Sequence, residues 1–379
     1  MANNTWKTTL KPLASLQLTI ILLAFLMALV VMCTLAQVHL GIFRAVEVYM
    51  RSFLVWWGPA SASWEMPVFP GGALVGFLLL VNLTAAMFVR LEASWRKGGL
   101  WLSHIGLILL FFGEFVAGGF QVETMMPVEV GQTMNYAESN RRPEIVFLEE
   151  GATEDTVTSI APSRVLQGGL IQDPALPASV NIVEYHRNSK VMTAPFLAAK
   201  SRATAGFGRE AVAQPAEPAP SDEQNIPSAY VELKSRKGEN LGTYLISTAL
   251  EPQPIQIDGK EYRLAMRLWR NYMPFSLTLK EFRHDKYAGT EIAKNFASLV
   301  RLQDPQTKED RDVLIYMNHP LRYRGRTFFQ ASFGKGDTLS VFQVVENPGW
   351  QIPYWACVIV SLGLAWHFLA RLLPARRSA

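Results

Sequence analysis

Two patterns of apolar and polar residues divide this chain of 379 residues. Residues 16–38, 71–90, 100–118 and 352–372 are nearly unbroken apolar runs, each close to the roughly 20 residues that cross a bilayer as a helix. Residues 119–351 instead carry short runs with partial period-two alternation, the signature of half-buried strands. They include "EIVFLEE" (Glu144–Glu150), "VNIVEY" (Val180–Tyr185), "YVELK" (Tyr230–Lys234), "FSLTLKEF" (Phe275–Phe282) and "LSVFQVV" (Leu339–Val345). A proline- and alanine-rich stretch, residues 211–228, reads as a linker within this region. The expected fold class is a multi-pass α-helical membrane protein. It has four transmembrane helices and a large, predominantly β extracytoplasmic domain between spans three and four. The first run exceeds the roughly 7–15 apolar residues of a signal peptide, and "LVVMC" has no small residue before Cys33, so it reads as an uncleaved span.

Charge sets the expected orientation. The whole chain carries 36 basic and 32 acidic residues; residues 120–351 hold 26 and 28 of them, leaving 10 basic against 4 acidic elsewhere. Lys7 and Lys11 precede span one, Arg90, Arg96 and Lys97 lie between spans two and three, and Arg371, Arg376 and Arg377 follow span four. By the positive-inside rule these flanks are cytoplasmic: residues 1–15, the basic loop 91–99 and the tail 373–379. The tryptophan-containing loop 39–70 (Trp56, Trp57, Trp64) and the domain 119–351 then lie outside. No basic stripe marks the domain, which argues against a nucleic-acid partner and leaves the lipid bilayer as the first one. Cys33 and Cys357 sit in apolar runs without CxxC spacing, so they suggest neither a disulfide framework nor a zinc site.

The candidate chemistry lies in the spans. A polar group in hydrocarbon is costly, so it is usually paired or faces the protein interior. His104 lies about 6 Å below the cytoplasmic end of span three at 1.5 Å per residue. His367 lies four residues before Arg371 in span four, at an expected similar depth. Two imidazoles at one depth suit axial ligation of haem iron; the alternative is a hydrogen bond to a neighbouring helix. Gly99, Gly106 and Gly113 fall seven apart and form a stripe where a neighbouring helix can approach. His104, about 200° from Gly106, points away from it. Gly72 and Gly76 form a GxxxG, Asn82 is expected to bond another helix, and Glu114 lies near the outer interface. In the outer domain, Arg322, Arg324 and Arg326 alternate and could share one strand face, suited to haem propionates or an acidic partner. His186, His284 and His319 show no metal-ligand spacing. No nucleophile elbow, phosphate loop or HExxH is present.

The chain resembles the ResB (CcsB) family of System II cytochrome c biogenesis membrane proteins. The resemblance rests on "SLQLTIILL" opening span one, "VNLTAAMFVRL" (Val81–Leu91), "LWLSHIGLILLFFG" (Leu100–Gly113), "FSLTLKEFRHDKYAGTEIAKNFASLVRL" (Phe275–Leu302), "IYMNHPLRYRGRTFFQASF" (Ile315–Phe333) and "NPGWQIPYWACVIVSLGL" (Asn347–Leu364). It is weak between Gln121 and Pro274. The resemblance implies a subunit working with a ResC/CcsA-type membrane protein, delivering haem b across a bacterial cytoplasmic (inner) membrane for attachment to apocytochrome c. It implies that His104 is one axial ligand, the other coming from the partner. The partner's repeated Trp-Gly haem motif is not found here, so the chain is expected to be an accessory subunit and not an enzyme by itself. Two other readings stay open: a haem b subunit of a respiratory quinol oxidoreductase, using both histidines, and a cofactor-free membrane scaffold.

Overall fold

The computed structural model describes residues 5–58, 64–152, 155–193, 201–219, 224–287, 289 and 293–372. The chain forms two compact units, Met1–Val122 with Glu346–Ala379, and Glu123–Val345.

The first unit holds four helices long and apolar enough to cross a membrane, Leu16–Leu40, Gly72–Arg90, Gly98–Phe120 and Ile352–Leu372. In chain order, the first three precede the β-rich unit and the fourth follows it. Small residues join the third helix to the fourth. A methyl added to Gly99 would fall 2.5 Å from the His367 backbone nitrogen, and one on Gly106 would fall 2.5 Å from Val360 Cγ2. One on Gly113 would fall 2.8 Å from Ile352 Cγ2. The fourth helix answers with Ala356 and Gly363, both buried. The stripe read from the sequence is thus a seam where backbones meet, which only glycine permits.

Asn82 fastens the first two helices together. It is 3% exposed, and its Nδ2 donates to the Leu13 and Ser15 carbonyls at 2.6 and 3.1 Å. Its Oδ1 accepts from Thr19 Oγ1 at 2.6 Å. Every polar atom of this amide therefore has a partner where water is scarce. The GxxxG reading holds differently from expectation. Gly72 abuts the Met50 backbone and not another span, while Gly76 has open space beside it. Between these helices, the expected loop contains helical turns Ile42–Ala45 and Val46–Arg51. An antiparallel hairpin of Leu54–Trp57 with Met66–Pro70 follows them. Trp56, Trp57 and Trp64 are all exposed.

In the second unit, two long strands, Thr133–Glu149 and Lys260–Lys286, pair along most of their length and serve two cores. One end belongs to a barrel-like lobe. Its strand path runs Glu309–Tyr316, Ala293–Asp304, Lys260–Lys286, Thr133–Glu149, Val122–Glu129, Leu339–Glu346, Arg326–Gly334, Leu321–Tyr323. A tight turn at Met317–Asn318 joins the ends of the path through the Tyr316–His319 bridge. All eight strands send side chains into one core, among them Ile315, Val300, Leu277, Met134, Met126, Phe342, Phe328 and Leu321. The other end of the long strands forms a sandwich with Gly169–Ile171, Ala178–His186, Ser228–Ser235 and Asn240–Ser247 around Phe147, Val180, Val231, Ile246 and Leu264.

All five strands expected from alternation are present. The 211–228 linker is corrected in part: Ala211–Pro215 is a strand paired with Ser189–Thr193. Its small residues Ala211, Val212 and Ala213 are buried, and the Ala213 amide donates to Tyr230 Oη at 3.2 Å. Three consecutive small side chains pack here despite a composition typical of a linker. Residues 220–223 lie outside the described residues.

Between the two cores the long ribbon shifts register, at Leu268/Arg270 and Tyr272/Leu277. There Arg267 Nε pairs with Glu144 at 2.8 Å, with side chains 17% and 3% exposed. Arg270 pairs with Glu138 at 2.8 Å and lies over the Tyr136 ring at 4.3 Å. The buried Glu144 carboxylate depends on its guanidinium partner. Removing one partner of a buried pair typically costs 3–5 kcal/mol, because a charge is left uncompensated.

Two predictions follow from packing. Gly99→Leu is expected to lower the stability of the detergent-solubilised protein by about 1–3 kcal/mol through overpacking, whereas Gly118→Ala, with no atom near its added methyl, leaves the thermal midpoint unchanged or slightly raised. Arg267→Ala is expected to destabilise the β-rich unit by about 3–5 kcal/mol in denaturant titrations, and Glu144→Gln combined with Arg267→Ala to recover part of that loss.

Candidate functional site

His104 sits in the first half of the third apolar helix, partly buried. Its Nδ1 is 2.8 Å from the Leu100 carbonyl oxygen, one helical turn earlier. A carbonyl can only accept, so in the neutral ring Nδ1 carries the proton and Nε2 keeps its lone pair. This is how metal-binding imidazoles are oriented: a hydrogen bond at one nitrogen fixes the tautomer and presents the other. Ser103 next to it turns into the seam, where it is buried and its hydroxyl bonds the Gly99 carbonyl at 3.0 Å. The glycine seam thus occupies one side of the helix and His104 the other.

Three tryptophans gather around the start of this helix. Trp101, one turn before His104, meets Phe88 of the second helix edge-on, with ring centroids 5.9 Å apart. Trp95 and Trp366 meet at 4.5 Å, and Gly98 lets the Trp366 indole lie against the helix start. Ala93, Ser94, Trp95, Gly98, Trp101 and Trp366 line an open cavity of about 460 Å³. Spacing rules directed at histidines miss this cluster. Its signal in the sequence is the recurrence of tryptophan at one end of two different apolar runs.

His367 is not brought to His104. Its backbone abuts Gly99, which is five residues and about 7.5 Å of helix rise before His104. The expectation of equal depth is therefore corrected: antiparallel packing sets His367 level with the start of the third helix, and His104 faces away from the seam. The His367 Nδ1 is buried and has no hydrogen-bond partner. Glu114 is exposed on the third helix.

The arginine row is also corrected. Arg324 and Gly325 have φ of 45° and 76° and form the two-residue turn between Leu321–Tyr323 and Arg326–Gly334. Positive φ at both central positions is the hairpin geometry that matches strand twist. The three arginines therefore do not share one strand face. Arg324 pairs with the buried Asp304 at 2.7 Å and donates to Gln306 Oε1 at 2.8 Å. Arg326 donates to Asn271 Oδ1 at 3.4 Å, and Arg322 also has an interaction of its own. Arg324 and Arg326 are thus engaged in holding the turn to the barrel.

Burial by itself pushes the Asp304 carboxyl up. Hydrogen bonds from Tyr323 and from the Gln306 and Thr307 amides, together with the Arg324 charge, outweigh it and hold the carboxyl below the ordinary carboxylate range. A depressed folded value means that the ionised form stabilises the fold above the unfolded value, and that this contribution is lost as pH falls. Asp304→Asn is accordingly expected to lower the thermal midpoint at neutral pH. It should also flatten the loss of stability that the unaltered protein shows below about pH 4.

Among the described residues, no group of three or more His, Cys, Asp or Glu side chains could hold a bare metal ion.

Comparison with known proteins agrees with the barrel lobe. Residues 259–341 match the ResB-like family, a stretch that begins at the long strand Lys260–Lys286 and ends within Leu339–Glu346. The chain is also similar to protein NrfI of Wolinella succinogenes, with 29% identity over 146 residues, 38% of this chain and 16% of NrfI. The chain thus aligns with a small part of that relative's length. The four apolar helices lie outside the stretch matched to the family.

Proposed function

For this ResB-like chain, we propose a role as an accessory subunit in cytochrome c maturation, one that receives haem b through His104 and passes it on for attachment to apocytochrome c. The observation that carries the reading is the His104 hydrogen bond to the Leu100 carbonyl, 2.8 Å long, which leaves Nε2 as the free nitrogen. The tryptophan-lined cavity at the start of the same helix supports it, as does similarity to the ResB-like family over residues 259–341.

In this proposal haem is cargo. His104 supplies one axial ligand, and a ResC/CcsA-type membrane protein supplies the second. The aromatic walls of Trp95, Trp101 and Trp366 receive the apolar macrocycle edge. The exposed cations Arg90 and Arg96 belong to the helix end and loop that lead to this helix, and suit propionate carboxylates. The chain lies in a bacterial inner membrane with both termini cytoplasmic and the β-rich unit outside, following the positive-inside distribution. The β-rich unit docks the partner and the apocytochrome. A quinol oxidoreductase using His104 and His367 as a bis-imidazole pair has less support, since the two residues differ in depth and His104 faces away from the seam.

Co-purification with a ResC/CcsA-type partner tests the reading. The wild-type complex is expected to show a haem Soret band. His104→Ala is expected to lower haem occupancy at least about tenfold, and His367→Ala to leave it within about twofold. Those values match the typical loss when a metal site is compromised. Full haem occupancy in the His104→Ala complex would overturn the proposal.

A further inference from the structure

The chain between the first two apolar helices is poor in charge and rich in aromatic residues. Residues 52–71 hold one charged side chain, Glu65, and three tryptophans. Leu54–Trp57 and Met66–Pro70 of this stretch form the antiparallel hairpin. An isolated two-stranded hairpin is marginal in water, and this one is held at its base. Val55 is 5% exposed and packs in one cluster with Leu22 and Leu29 of the first helix and Val75 and Leu79 of the second. Phe69, paired with Val55 across the hairpin, meets Phe25 of the first helix edge-on at 5.3 Å. The Gly71 amide donates to the Phe53 carbonyl at 2.8 Å.

Away from the base, apolar side chains turn outward. Trp56, Trp57 and Trp64 are 52%, 55% and 54% exposed, Met66 is 48% and Val68 51%. Trp56 and Trp57 are consecutive in a strand, so they point to opposite faces. An antiparallel sheet in water carries polar side chains on its open face. The two strands here, LVWW and MPVFP, contain no charged, hydroxyl or amide side chain.

The depth of the hairpin follows from the second helix. Gly72–Arg90 has 19 residues; at 1.5 Å each they span about 28 Å, which matches the roughly 30 Å of a hydrocarbon core. Arg90, exposed, stands at one end, and a cation there marks one membrane boundary. Gly72 then reaches the other boundary, and the hairpin joins it directly through Gly71. The Asn82 clasp agrees, because it sets Asn82 level with Thr19 of the first helix. Gly72 lies about 15 Å of helix rise from Asn82, level with Leu29 and well short of the first helix's end at Leu40. The Phe69 ring reaches Phe25, one turn nearer the membrane centre, so the hairpin base lies against the helices and does not stand clear of them. The unpaired edges of a two-stranded sheet exclude the hydrocarbon centre, where nothing satisfies them. The boundary supplies water for those edges and acyl chains for the rings, and it is where tryptophan concentrates.

We propose that this hairpin is a membrane-interface anchor whose partner is bilayer lipid, in the leaflet opposite Arg90. Trp56, Trp57 and Trp64 seat between headgroups and acyl chains. With the hairpin anchored at one boundary and Asn82 clamping the helices nearer the other, the first two helices are fixed in depth and tilt. Neither haem nor His104 enters into this role.

Depth measurement by electron paramagnetic resonance tests it, on the full chain in vesicles of phosphatidylcholine and phosphatidylglycerol. A nitroxide is attached at Val68→Cys in a chain whose Cys33 and Cys357 are replaced by alanine. The two collision partners are dissolved oxygen, which partitions into lipid, and a water-soluble nickel chelate. The expected result is a label that meets oxygen in preference to nickel, at about 5–10 Å below the phosphates. Trp56→Ser, Trp57→Ser and Trp64→Ser together are expected to shift that label into water while the melting curve in detergent stays unchanged. A label that meets nickel freely in the chain with its tryptophans overturns the inference. So does a label screened from both collision partners, the mark of a protein, a second copy included, covering the hairpin. A depth unmoved by the serine changes overturns it too. If the cysteine-free chain does not fold, quenching of tryptophan emission by lipids brominated near the headgroup takes its place, with both cysteines present. Trp56→Phe, Trp57→Phe and Trp64→Phe together are then expected to remove part of the quenched emission, and an unchanged quenched emission overturns the inference.

Discussion

The direct backbone contact between the third and fourth apolar helices determines where the rest of the membrane unit's chemistry can lie. Gly99, Gly106 and Gly363 let the two backbones approach until no side chain fits between them. In hydrocarbon, such close packing replaces the hydrophobic drive that water supplies elsewhere. Once that face of the third helix is committed, the direction of every other side chain on it is set by the 100° step of the helix. Ser103 turns into the seam and closes on its own backbone. His104, one residue on, turns out of it, and its Nδ1 finds the Leu100 carbonyl. The free nitrogen is thus a consequence of helix packing.

The β-rich unit solves a different problem with the same economy. Two strands long enough to run through both lobes give the barrel and one layer of the sandwich a common sheet, against which a separate four-stranded sheet packs. Where they pass from one core to the other, apolar packing is interrupted, and arginine–carboxylate pairs fill the gap: Arg267 with Glu144 and Arg270 with Glu138. Charged pairs between two cores contribute little net energy compared with apolar packing, but they tolerate the register shifts that a close-packed core would not.

Much of this architecture is legible in the sequence, and what is not has a physical cause. The four helices follow from unbroken apolar runs, and five strands from alternation, because burial periodicity is a local property. The glycine stripe of Gly99, Gly106 and Gly113 is legible as a contact surface, though its partner helix is not. Gly72 looks equivalent, yet it meets the Met50 backbone. Arg322, Arg324 and Arg326 mislead because period two carries no information about a turn with positive φ at Arg324 and Gly325. The alanines at 211 and 213 mislead because their composition is that of a linker, while their burial beside Tyr230 depends on a distant strand. The His284–Asp337 hydrogen bond is not legible, since the two residues are 53 apart in the chain.

The number of ligands per site matters for a carrier. A protein that supplies both axial ligands to haem iron holds it firmly and releases it slowly, as suits a resident cofactor. Under the proposed function this chain does the opposite. The fold separates His104 from His367 and turns His104 away from the seam between their helices. Under that reading His104 would supply a single imidazole, which would let bound haem leave by exchange of one protein ligand.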